Sequence, residues 1–118
     1  MKLKMSVAQN SLPALGALAA VSLPAVAAYK VATMIRKLKE PMSTFDETRG
    51  ALLKEVGELV EGKEGEYKIN DLDRWNTEMA ALLEADVDLA VSPIKVSELG
   101  SATVEPRVLV SLDWAFEE

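Results

Sequence analysis

Val31, Ile35, Leu38, Met42, Phe45, Arg49, Leu52, Val56 and Leu59 recur alternately four and three positions apart. That spacing gathers them on one stripe of a helix, the seam along which a helix packs lengthwise against a partner. Only Arg49 breaks its apolar character. The helical pattern around the seam runs from Ser22 to Glu61, and a straight helix of that length would span about 60 Å at 1.5 Å per residue. A compact chain of 118 residues has a radius of gyration of only about 13 to 14 Å, so such a helix would protrude. Pro41 lies at its middle, where it removes one backbone donor and disfavours helix for the residue before it. The pattern therefore predicts a kinked or broken helix, in two parts over about 23–40 and 43–61. Ser43 or Thr44, with Glu47, would cap the second part.

Ahead of the seam, Lys2-Leu3-Lys4-Met5-Ser6 alternates charge with hydrophobe, as a short strand with one wet face does. Ser11-Leu12-Pro13-Ala14 and Ser22-Leu23-Pro24-Ala25 form a local duplication. In each, serine can cap a first helical turn and proline sits where its missing N–H costs nothing, which predicts two helix starts. The first helix, about Ser11 to Val21, is apolar nearly all round and belongs in a core.

Behind the seam, Gly62-Lys63-Glu64-Gly65-Glu66 reads as a turn and Tyr67-Lys68-Ile69 as a brief extended piece. Asn70 or Asp71 caps a helix through Ala85 whose inner face is Leu72, Trp75, Met79, Leu82 and Leu83. Asp86 to Val91 alternates strictly and reads as a strand, which Ile94-Lys95-Val96 extends beyond Pro93. After a turn at Ser97 to Gly100, Thr103 and Pro106 start a final helix through Phe116; residues 107–116 also fit a strand, and the proline favours helix. The expected fold is α+β and mainly helical, a single domain over 1–118. Its long helix, about 22–61, packs with two or three further helices and a small two- or three-stranded sheet.

The chain contains neither cysteine nor histidine. That removes disulfides, thiolate and imidazole metal ligands, Cys or His nucleophiles and the His general base. GxSxG, Walker and dinucleotide-binding patterns are missing as well, so a non-enzyme is expected, with no cofactor. The net charge of −6 divides unevenly, +5 over residues 1–40 and −11 over 41–118. This acidity, with only two residues each of Trp, Tyr and Phe, argues against nucleic acid as partner.

Lys30, Arg36, Lys37 and Lys39 form a basic cluster fit for a phosphate group or an acidic partner surface; a solvated helix face competes with that use. Arg49 in the seam would snorkel, pair with an acid such as Asp46, or mark where a partner helix ends. Asp86 and Asp88 would share one strand face. A calcium loop needs more oxygen ligands and a glycine, so a solvent face explains them better. Leu12 to Ala28, preceded by Lys2 and Lys4 and ending Ala25-Val26-Ala27-Ala28, also has the outline of a secretory signal with residues 1–27 removed. Pro13, Gly16, Ser22 and Pro24 within it favour helix starts, and the run is too short to span a membrane.

The order of these pieces resembles a group of small tailed-bacteriophage proteins of uncharacterised function. The likeness is carried by the basic strand, by Ser22-Leu23-Pro24-Ala25-Val26-Ala27-Ala28-Tyr29-Lys30-Val31-Ala32, and by Arg36-Lys37-Leu38 leading into an acidic helix. It continues through Tyr67-Lys68-Ile69, Trp75-Asn76-Thr77-Glu78-Met79 with Leu82-Leu83, Pro93-Ile94-Lys95-Val96-Ser97-Glu98-Leu99 and a C-terminal Leu-x-x-Trp helix. These are fold-forming positions and bring no catalytic residue with them. Where that group often has a longer charged first helix, this chain has the alanine-rich Ser11 to Val21. The resemblance implies a phage-encoded interaction protein with a phage or host protein as partner, acting in the virion or the host cytoplasm, and compatible with homo-oligomers. The alternatives are an oligomeric module that binds a small anionic ligand through Lys30, Arg36 and Lys37, or a secreted protein.

Overall fold

A computed structural model describes residues 1–62 and 66–118, with every side chain among them except that of Leu59. Its element order is β1 (Lys2–Lys4), α1 (Met5–Ala19), α2 (Ala25–Val56), β2 (Gly57–Leu59), β3 (Tyr67–Ile69), α3 (Leu72–Glu84), β4 (Asp86–Asp88), β5 (Ile94–Lys95), α4 (Pro106–Ser111) and β6 (Phe116–Glu117). One-turn 3₁₀ helices at Val96–Leu99 and Asp113–Ala115 complete it. The fold is α+β and mainly helical. Instead of one small sheet, the described residues form three two-stranded ones: antiparallel β1–β4 and β2–β3, and parallel β5–β6. Ile94 and Lys95 thus leave the sheet of Asp86–Asp88 and pair with the C-terminal Phe116 and Glu117.

The long helix does not break. Its 32 residues pass through Pro41, and neither Ser43 nor Thr44 caps a new start; the Thr44 carbonyl accepts a bond from the Thr48 hydroxyl one turn on. Proline deprives only the Lys37 carbonyl of its i+4 donor, and Lys37 and Pro41 both line an open groove. The molecule is accordingly elongated, 53 × 29 × 22 Å with a radius of gyration of 17.5 Å, well above a compact chain of this length. The helix ends at Val56 rather than Glu61. There the chain turns straight into β2 at Gly57, where a Cβ would stand 2.9 Å from both the Leu53 and Lys68 carbonyl oxygens. The Val56 carbonyl accepts from the Asn70 and Asp71 amides, tying the β2–β3 hairpin to the helix end. The predicted turn at 62–66 falls largely on residues 63–65, outside the described residues.

Two predicted helix starts are also displaced. α1 begins at Met5, six residues before Ser11, because β1 delivers the chain there and the Met5 amide bonds the Ala85 carbonyl. Ser11 is no cap. It is wholly buried inside α1, donates to the Val7 carbonyl at 2.6 Å and accepts the Trp114 indole N–H at 2.8 Å. Ser22 is likewise no cap, since Pro24 holds that position and its carbonyl accepts the Ala28 amide. In α3, Asp71 caps as expected by accepting the Arg74 amide. Leu72, however, is exposed at the helix start and takes no part in the inner face. The final helix starts at Pro106 with Glu105, not Thr103, at its cap position; helix over strand holds for 106–111, after which the chain passes through a 3₁₀ turn into β6.

The core gathers Leu15 and Leu18 of α1, Val31, Met34 and Leu38 of α2, Ile94 of β5 and Leu112 after α4, all at most 1% exposed. Along α2 the buried stripe is Ala27, Val31, Met34, Leu38, Phe45, Leu52 and Val56. Ile35 and Met42 of the predicted seam are half-buried on its flank, and Arg49 is exposed. A strict seven-residue repeat slips about 20° per heptad on an ordinary helix, which accounts for Met34 in place of Ile35 on the inner side.

Candidate functional site

The basic cluster does not assemble. At about 100° per residue, Lys30 and Lys37 fall on one flank of α2, about 10 Å apart along the axis, while Arg36 and Lys39 fall on the side away from the core. Lys30 is committed to structure: its ammonium donates to Glu98 Oε1 at 2.6 Å and to the Pro93 carbonyl at 3.1 Å. The same carboxylate oxygen accepts the Lys95 amide at 2.8 Å, so Glu98 fastens α2 to the turn after β5. The Lys30 bond and then the Lys95 N–H hold the Glu98 carboxyl below the usual carboxylate range. Arg36, Lys37 and Lys39 are exposed and make no ion pair among the described residues.

What the fold does assemble is a groove of about 580 Å³ between α2 and β4, within the size range of ligand clefts. One wall is a single face of α2 carrying Lys37, Glu40, Pro41, Thr44, Phe45 and Thr48; the other is the segment Ala85 to Ala90, with β4 at its centre. Phe45, Val87 and Leu89 are buried at its floor, and Asp86 and Asp88 are exposed at its rim. A second hollow of about 330 Å³ between α2 and α3 shares Thr48 and Leu82 with it, so the depression continues along the helix. Asp86 and Asp88 thus have the solvent-facing placement their alternation predicts. Among the described residues, no three acidic side chains are placed to hold a metal ion.

The hydrogen-bond phase of β4 gives the groove its chemistry. The Leu89 amide bonds the Met1 carbonyl and the Met5 amide bonds the Ala85 carbonyl. With Leu3 opposite Val87, the alternation of an antiparallel ladder turns the Ala85, Val87 and Leu89 backbone groups toward β1. The N–H and C=O of Asp86 and Asp88 therefore point away from β1, to the opposite edge of the strand. Among the described residues β4 pairs with β1 alone, which leaves its second edge without a strand partner.

The sequence marked Pro41 as a helix break and Thr44 as a cap, and it gave no site role to these residues, to Thr48 or to this strand edge. The chain matches no family model, no curated protein and no solved structure.

Proposed function

We propose that this chain is a non-catalytic, phage-encoded interaction protein that docks a protein partner, either as an accessory component of the virion or its assembly or as a modulator of a host factor. The observation that carries this reading is the α2–β4 groove of about 580 Å³, walled by an open strand edge rather than by convergent acid, base or nucleophile. The small-anion alternative is weakened because Lys30 is bound to Glu98 and Arg36 is turned about 100° from Lys37 around the helix. The secreted alternative is weakened because residues 1–27 supply β1, α1 and part of the core. No helix of the described residues is long and apolar enough to cross a membrane.

The test is recovery of the tagged chain from phage-infected cells, followed by mass spectrometry. Sedimentation with virions supports a structural role, and a stoichiometric host protein supports modulation. Recovery as a lone chain in both fractions overturns the reading.

A further inference from the structure

The geometry points to the outer edge of β4 as the docking site for an extended basic segment of a partner protein, of the pattern Lys/Arg–apolar–Lys/Arg, which adds as a third strand between β4 and α2. This rests on the interaction reading above and names the chemistry of the partner.

Three observations converge. The outward N–H and C=O of Asp86 and Asp88 are the template on which an extended chain pairs. Among the side chains lining the groove, the carboxylates of Glu40, Asp86 and Asp88 outnumber Lys37, and Asp88 Oδ1 also lies 3.6 Å from the Met1 ammonium. The inner edge of the same strand already shows which sequence it accepts. β1 reads Lys-Leu-Lys, with Lys2 opposite Asp88, Leu3 opposite Val87 and Lys4 opposite Asp86. Side chains opposite one another share a face, so an added strand would set its basic residues beside the two exposed carboxylates. Its apolar residue would fall beside Val87, over Pro41, Phe45 and Leu82 in the groove. The carboxylates also act against other occupants, since an apolar or acidic strand would leave them desolvated or repelled.

The probe is an end-blocked, fluorescently labelled heptapeptide, Lys-Val-Lys-Val-Lys-Val-Lys, titrated with the full chain and followed by anisotropy. It should bind, more weakly as salt rises, while the peptide with Glu for Lys should not. Two further peptides carry N-methyl groups on the lysine amides or on the valine amides. An antiparallel added strand turns its lysine N–H groups toward β4 and a parallel one its valine N–H groups, so one set should abolish binding and the other spare it. D86N/D88N should weaken binding about tenfold, within the range for two exposed ion pairs. Asp88→Pro, which removes an outward N–H but no β1 bond, should bind more weakly than Asp88→Asn, with circular dichroism confirming the fold.

Absence of peptide binding, or binding indifferent to both methylation patterns, overturns the strand-pairing site even if Asp88→Pro does not fold. Equal capture of a cellular partner by the wild type and D86N/D88N also overturns the site but leaves the interaction reading standing. Specific peptide binding with no partner in infected cells supports the site and removes the cellular role.

Discussion

The two halves of α2 carry the same heptad spacing into different surroundings. Up to about Phe45 the helix lies in a packed body, against α1, β5 and the 3₁₀ turn at Val96–Leu99, and Val31, Met34 and Leu38 are at most 1% exposed. Beyond it the helix continues into an arm made with the β2–β3 hairpin and the start of α3. Leu52 and Val56 are buried there but stand outside the main core cluster, and α3 has no fully buried residue. Arg49 marks the change, since its seam position points where the arm has no wall thick enough to cover it. The arm is held instead by polar ties: the Asp71 cap, the Val56 carbonyl, and Arg74, which meets Glu55 at 2.6 Å and Glu78 at 3.5 Å. Heptad spacing therefore specifies a helix face, while the depth of burial along it depends on how many elements return to that face.

The strongest way to break this comparison is a matched pair of truncations. Leu38→Ala should cost toward the upper part of the 2 to 5 kcal/mol seen for buried leucines, about twice the cost of Leu52→Ala, whose neighbourhood opens onto the α2–α3 hollow and can relax. Urea unfolding measures both, and equal costs would make the arm as well packed as the body. Pro41→Ala comes next, with an expected gain of about 1 to 2 kcal/mol as the Lys37 carbonyl regains its donor in an already continuous helix. A loss in thermal or urea midpoint would mean that proline is needed for the path of α2. In the arm alone, Asp71→Ala should cost about 1 kcal/mol. Hydrogen exchange should place that loss in α3 and the hairpin, with the amides of α1 unchanged.

The smallest effect belongs to the body and depends on pH. The folded-state pKa of Glu98 lies below its unfolded value, so its bond to Lys30 adds stability above the unfolded pKa, near 4.3 for glutamate. That contribution is lost as pH falls through the folded value. The wild type should lose thermal stability more steeply on acidification below about pH 4.3 than Glu98→Gln does. Parallel curves would show that the Lys30–Glu98 bond contributes nothing measurable.

Local chemistry was legible wherever it acted locally. The Asp71 cap, the proline at the start of α4, the Lys-Leu-Lys and Asp-Val-Asp alternations and the mainly helical α+β class all follow from neighbours in sequence. Ser11 was misleading because its hydroxyl answers Trp114, 103 residues away, and no spacing rule anticipates that bond. Pro41 was misleading because proline takes the donor from a single carbonyl, that of Lys37, and one lost bond does not end a helix of 32 residues. Lys30 looked like an available cation because Glu98 lies 68 residues further on. The groove itself was illegible for a similar reason: it is the gap left when a three-residue strand finds one partner instead of two.

The bond between Trp114 and Ser11 gives the molecule a built-in optical probe. Trp114 is half-buried against the core, and the second indole, Trp75, lies on α3 in the arm. With Trp75→Phe, emission reports on the body alone; with Trp114→Phe, on the arm alone. Coincident denaturation curves would show one cooperative unit. An earlier transition at Trp75 would show that the arm melts while the body stands, so that the long helix frays from its far end.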